Sequence, residues 1–301
     1  MKIAVAKYPI ERVGDVADFA EKQRRWLQAA ANAGARVAVL PEYLSLELAA
    51  MFPETVRADL PASLAALQTH RGSWCRLFED LARDTGMHIV AGSFLLATGD
   101  DRYRNRADLF SPNGGHRWQD KLQLTGFEKR LGIIDGGDAL KVFDIDGVRM
   151  GIAICYDIEF PLPVRAQCEA GAQVLLVPSC TDTAAGATRV RVGAMARALE
   201  NRCFVAQAVT AGEAPWNPAL DVNTGEATLY APMDVGFPAD GIVATSGRRA
   251  ESDDVDWAIA DVDVAALVDA RAQAQVANDR DWSGQLAPAL LRAKLDAAPH
   301  S

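Results

Sequence analysis

The chain is predicted to fold as an α/β protein, and three observations carry that expectation. Short apolar runs rich in β-branched residues recur along it. Stretches of helical period separate many of them, and turn signals bound the rest. Two layers of sheet with helices outside both satisfy such a pattern.

Taken in order, Ile3 to Tyr8 reads as a strand, and Asp15 to Ala33 as an amphipathic helix with Asp15 as N-cap and Gly34 at its exit. Val37 to Leu40, His88 to Phe94, Arg106 to Phe110 and Arg117 to Lys121 read as strands. Val142 to Ile145 and Val148 to Ile154 flank Asp146-Gly147, a hairpin turn pair. Pro161 opens a helix to Ala170. A strand at Val174 to Val177, a helix at Ala187 to Asn201 and a strand at Phe204 to Val209 follow. Residues 265–301 read as a helix and then a tail, extended at Asp281-Trp282-Ser283-Gly284-Gln285. No linker, charge block, low-complexity stretch or repeat interrupts the 301 residues, so one domain spanning 1–301 is expected.

Composition narrows the function. A 50% hydrophobic fraction supports a sizeable core, and a net charge of −9 argues against nonspecific nucleic-acid binding, which needs a basic surface. The five cysteines are odd in number and form no CxxC pair, and the four histidines lack metal-ligand spacing. The apolar run after Met1-Lys2 is broken by Lys7, too early for a signal peptide, and no run is long enough to span a membrane. These features fit a cytoplasmic enzyme whose partner is a small-molecule substrate, without nucleic acid or membrane.

The chemistry concentrates at strand ends. Val148 to Ile154 delivers Cys155 to a turn just before the helix at Pro161, a rigid mount where backbone N–H groups can stabilise negative charge. Val37 to Leu40 leads through Pro41 to Glu42, and Arg117 to Lys121 ends in a lysine. A thiol needs a base to become a nucleophile, which a glutamate can supply. A lysine ammonium beside the sulfur favours thiolate and can stabilise an oxyanion.

These blocks together resemble the nitrilase, or carbon–nitrogen hydrolase, superfamily. The resemblance rests on Leu40-Pro41-Glu42-Tyr43, on Asp120-Lys121-Leu122-Gln123-Leu124-Thr125 and on Gly151 to Pro161 around Cys155. It continues through Val177-Pro178-Ser179 and Arg197-Ala198-Leu199-Glu200-Asn201-Arg202. The blocks stand in family order over nearly the whole chain. The resemblance implies a four-layer α-β-β-α sandwich, commonly paired into a homodimer or higher homo-oligomer. It implies Glu42 as general base, Lys121 as the lysine on the oxyanion side, Cys155 as nucleophile and Glu128 as a second glutamate. The backbone N–H of Tyr156 joins Lys121 as an expected oxyanion donor, and the scheme needs no cofactor and no metal.

The reaction expected from the resemblance is hydrolysis of a small linear amide through a cysteine thioester. Nitrile hydrolysis, N-carbamoyl hydrolysis or acyl transfer to an amine are alternatives on the same scaffold, and a dimeric interaction scaffold is the non-enzymatic one. Cys155-Tyr156-Asp157 favours the amide side over nitrilases proper, which usually carry Cys-Trp-Glu. Glu159 stands where relatives frequently have arginine; it either faces substrate as an anion or pairs with a neighbouring arginine such as Arg165. A bacterial branch with this glutamate, with Pro178 to Thr183 and with Ala214-Pro215-Trp216 is most similar. Some of its members are fused to an acetyltransferase domain, for which this chain leaves no room. Ser179, Thr181 to Thr188 and Trp216 to Asn223 are candidates for the pocket wall, the last two equally for loop or interface.

Overall fold

The computed structural model describes residues 1–247, 255–287 and 290–293. The strands are β1 (Lys2–Pro9), β2 (Val37–Val39), β3 (His88–Gly99), β4 (Arg102–Phe110), β5 (His116–Asp120), β6 (Ile134–Asp135) and β7 (Val142–Ile145). They continue as β8 (Val148–Ile152), β9 (Val174–Ser179), β10 (Phe204–Glu213), β11 (Val222–Asn223), β12 (Thr228–Tyr230), β13 (Ile242–Thr245) and β14 (Asp256–Asp261). The helices are α1 (Val16–Asn32), α2 (Glu54–Arg57), α3 (Leu60–Leu67), α4 (Arg71–Thr85) and α5 (Gly126–Leu131). After them come α6 (Pro161–Glu169), α7 (Ala184–Asn201), α8 (Val264–Asp269) and α9 (Asn278–Asp281).

Strand β1 divides the sheet. Its first residues pair with β2 on one side and antiparallel with β14 on the other, whereas Lys7 to Pro9 pair in parallel with Val209 to Ala211 of β10. One half therefore runs β5-β4-β3-β2-β1-β14 and the other β7-β8-β9-β10-β12-β13, joined at the C-terminal end of β1. Beyond the join the halves face each other, with β2 and β3 against β9. Period-two alternation makes this possible, because successive side chains point to opposite faces. Ile3, Val5, Val37 and Val39 enter the core shared with β8, β9 and β10, while Ala4, Ala6, Tyr8 and Ala38 pack outward against helices.

Outside the first half, α1 contributes Phe19, Trp26 and Leu27, and α4 contributes Trp74 and Phe78, all buried. Asp15 caps α1 by accepting from the N–H of Asp18, as its sequence position predicts. Burying each of these side chains contributes about 1.5–3 kcal/mol. Outside the second half lie α6 and α7, which send Val164, Val190, Ala194 and Ala198 inward. The result is the α-β-β-α sandwich that the resemblance implies.

Several boundaries move. The predicted strand Val148 to Ile154 ends at Ile152, and Ile154 N donates to the Asp157 carboxylate instead of a neighbouring strand. The strand at Arg117 to Lys121 spans His116–Asp120. The helix expected from Ala187 starts at Ala184, because Thr183 caps it by accepting from Gly186 N. The C-terminal segment differs most. Instead of one helix and an extended tail, it forms the short α8 and α9 and helical turns at Ala270–Gln273 and Trp282–Leu286. Trp282 lies against the Arg165 guanidinium, 5.0 Å from its ring centroid, and Arg165 Nη2 donates to Asp279 O, so this part of the tail folds onto its own chain. Residues 288–289 and 294–301 of the expected tail lie outside the described residues. Among the described residues no helix is long and apolar enough to cross a membrane.

Gly92 shows how the fold places the glutamate loop. Its φ is +63°, and a Cβ there would stand 2.1 Å from the carbonyl oxygen of Pro41, next to Glu42. Left-handed backbone costs a non-glycine residue about 1–2 kcal/mol, and overpacking adds about 1–3. Gly92→Ala should therefore lose about 2–5 kcal/mol of stability by denaturant titration. A variant as stable as the parent would show that β3 can move away from the Glu42 loop.

Candidate active site

The three strand ends converge. Glu42 follows β2, Lys121 follows β5 and Cys155 follows β8, so the first two come from one half of the sandwich and the cysteine from the other. All are buried: Glu42 and Lys121 are each 1% exposed and Cys155 5%. Lys121 Nζ lies 2.8 Å from Glu42 Oε1 and 2.9 Å from Glu128 Oε2. Asn105 Nδ2 donates to Glu42 Oε1 at 2.8 Å, and the Tyr43 hydroxyl donates to Glu128 Oε1 at 2.7 Å. Glu128 is itself fixed by a capping box at the start of α5, accepting from Thr125 N while Thr125 Oγ1 accepts from Glu128 N.

Cys155 opens a helical turn, Cys155–Glu159, and holds φ +48°. Left-handed backbone in a non-glycine residue is uncommon, and such strain collects at functional sites. The thiol donates to the Cys180 carbonyl at 3.4 Å and shares a buried cavity with the Glu42 carboxylate, whose charge acts on it. Asp157, two residues on, accepts from Gln123 N at 2.7 Å, from Leu122 N at 3.1 Å and from Ile154 N at 3.2 Å.

Burial sets the charge states. It raises Glu42, with Lys121 pulling the other way and Glu128 adding to the rise. Burial would lower Lys121, but the carboxylates of Glu42 and Glu128 outweigh it and hold the ammonium above its ordinary value. Glu128 is lowered, because Lys121 overcomes the cost of its burial. Cys155 is pushed well up, first by burial and then by the Glu42 charge, against a smaller opposing pull from Lys121. Lys121 does pull the thiol down, as expected, but burial and the Glu42 charge outweigh it. The resting group is a protonated thiol beside a carboxylate, and the base at hand is Glu42.

These groups line a cavity of about 390 Å³. Tyr156, Glu159 and Thr181 are on its wall, as are Phe127, Arg130, Cys180 and Arg189. Ser179 is not: it is fully buried on β9, and its hydroxyl donates to Ala208 O at 2.5 Å. Thr181 Oγ1 donates to Thr224 O at 2.6 Å, so its hydroxyl proton is already committed. Glu159 pairs with Arg189 at 3.7 Å rather than with Arg165, which is taken by Glu169 at 2.8 Å. Of the segments proposed for the pocket wall, Thr181, Asp182, Gly186, Pro218, Ala219, Asp221 and Val222 reach it, whereas Trp216 does not. Among the described residues no cluster of histidine, cysteine and acidic side chains could hold a metal ion.

The match to known proteins agrees with this geometry. The sequence profile of the family described as carbon-nitrogen hydrolase matches residues 2–268. The chain belongs to the carbon–nitrogen hydrolase family. A probable hydrolase of Bacillus subtilis, YhcX, is 30% identical over 251 residues, covering 83% of this chain but only 48% of that protein. The chain thus spans about half the length of that relative. Omega-amidase NIT2 of Danio rerio is 23% identical over 265 residues, covering 79% of this chain and 90% of its own. Among solved structures, Nit3 of Saccharomyces cerevisiae, described as a member of branch 10 of the nitrilase superfamily, superposes with a TM-score of 0.70. It is 19% identical, covering 93% of this chain and 96% of the yeast protein, and supports the fold alone.

Sequence reasoning missed Asn105, Tyr43 and Asp157. The Thr125-x-x-Glu128 spacing of a capping box was the one available signal that Glu128 is held in place. Alkylation of a protonated thiol needs a base, and Glu42 is the carboxylate whose charge acts on Cys155. Iodoacetamide labelling of Cys155 at neutral pH, followed by peptide mapping, should slow by about 10-fold or more in Glu42→Gln, the loss general-base assistance implies. Equal rates in parent and variant would remove Glu42 from the role of base.

Proposed function

We propose that this carbon–nitrogen hydrolase cleaves a small linear amide through a thioester on Cys155. One observation supports it above others: the Cys155 thiol and the Glu42 carboxylate line one buried cavity, with an ammonium beside them that Glu42 and Glu128 keep charged. In this reading Sγ attacks the amide carbonyl as Glu42 takes the thiol proton. The oxyanion that forms draws on Lys121 Nζ and the backbone N–H of Tyr156, each donor being worth about 3–4 kcal/mol to the transition state. Glu42 passes its proton to the departing amine, and then activates the water that hydrolyses the thioester. The Danio rerio omega-amidase supports amide chemistry by its name.

The cavity wall informs the choice of substrate. Arg189 partly neutralises Glu159, which argues against a bare anionic anchor. Replacing Glu159 with Gln would leave the Arg189 guanidinium without its carboxylate. The ratio of kcat/KM for carboxylate-bearing over amine-bearing amides should then rise about 10-fold, one decade per 1.4 kcal/mol. An unchanged ratio would put both side chains outside substrate reach.

Ammonia release from a panel of amides, nitriles and N-carbamoyl compounds tests the reaction itself, and turnover of nitriles in place of amides would defeat it. With a substrate found, Lys121→Ala and Glu42→Gln should each lose about 10²–10⁴-fold in kcat. We also propose a homodimer. Leu162 of α6 and Val192 and Leu199 of α7 are large apolar side chains left exposed, the last two seven residues apart on one helix face. Light scattering that returns a 32.3 kDa particle at micromolar concentration would defeat the dimer.

A further inference from the structure

Asp157 binds both halves of the sandwich at the active site. Its carboxylate accepts from Leu122 N and Gln123 N, the two residues after Lys121, and from Ile154 N, the residue before Cys155. The first pair continues from β5 in one half, and the third from β8 in the other. After each strand one more N–H, that of Lys121 or Ala153, still donates to the neighbouring strand, and the N–H that follows turns to this carboxylate. Asp157 is itself only 3% exposed. We infer that Asp157 is a positioning residue, whose negative charge clamps the lysine-bearing and cysteine-bearing strand ends at the separation that catalysis requires. The inference rests on the amide-hydrolase reading for its kinetic consequence, but not for the clamp itself.

Three N–H donors on two oxygens suit a carboxylate and suit its neutral forms poorly. A protonated acid turns one oxygen into a donor, and an asparagine would point an NH₂ group at a backbone N–H. The charged surroundings are few. Lys121 favours the ionised form; Glu159 on the same turn is occupied by Arg189, and Arg165 on α6 by Glu169. On α7 the turn is met at Gly193, which brings no charge. Burial raises the Asp157 carboxyl to about 6, the N–H groups and Lys121 restraining it. An unfolded aspartate stays ionised down to about 3.9. Between these values the folded state holds the extra proton, so acidification through this step strengthens the fold through Asp157 while slackening the clamp. Turnover lost through this group is therefore not lost fold.

The backbone amide proton resonances of Leu122, Gln123 and Ile154 should titrate together in the parent protein, with a common midpoint near pH 6. In Asp157→Asn that shared titration should vanish. With a substrate in hand, kcat of this variant should drop about 10- to 100-fold with KM within about two-fold, as a small misplacement of reacting groups predicts. Three amides that stay flat between about pH 5 and 7 would overturn the inference, and so would an Asn variant with parental kcat. If the variant does not fold, the parental titration decides alone. That titration needs no substrate, so a failed clamp and a failed amidase reading give different results.

Discussion

The arrangement of the cavity depends on one buried cation. Lys121 is almost fully out of water, and only the carboxylates of Glu42 and Glu128 make its charge tolerable there. Their mutual attraction places the lysine, and it also ties β2, β5 and α5 to one point. Asn105 adds a donor to Glu42, and Tyr43 and Thr125 add donors to Glu128. Replacing such a cluster with apolar residues of similar volume is often neutral or stabilising, so stability alone gives little reason for this arrangement. Its reason lies in the sulfur beside it.

The same burial divides the work between the groups. A thiol raised by desolvation is unreactive until a base arrives, and the raised glutamate is better matched to accept its proton. Glu128, lowered and capped at a helix start, stays ionised and serves the lysine. Two carboxylates on one ammonium are thereby driven apart in basicity, which is how acid–base roles become distinct within one pocket.

How much of this was legible in the sequence follows from the kind of signal each part leaves. Strands β2 and β8 announce themselves because a largely apolar run ends abruptly near Glu42 or Cys155, while the polar β5 shows only as a short stretch ending at Lys121, and the three ends meet in space. The division of β1 between two sheets leaves no such mark, since each of its residues looks like any other half of an alternating strand. The folded C-terminal segment escaped for a related reason: Trp282 is fixed by Arg165, far away in sequence. Asp157 and Asn105 are single polar residues whose importance lies wholly in which backbone and side-chain atoms they meet. The net direction of the Cys155 shift was not legible, because charge proximity can be guessed from motif order, whereas depth of burial cannot.

The join at β1 and β10 has a mechanical consequence. Glu42 and Lys121 hang from one sheet and Cys155 from the other, so their spacing is the thickness of the layer of side chains between the sheets. That layer, with Val39, Val90 and Leu176 among its members, is packed like a solid and has almost no compressibility. It therefore acts as a spacer block. Adding a methyl group to it would widen the gap between the Glu42 carboxylate and the Cys155 thiol without touching either, acting on the cavity from the far side of the core.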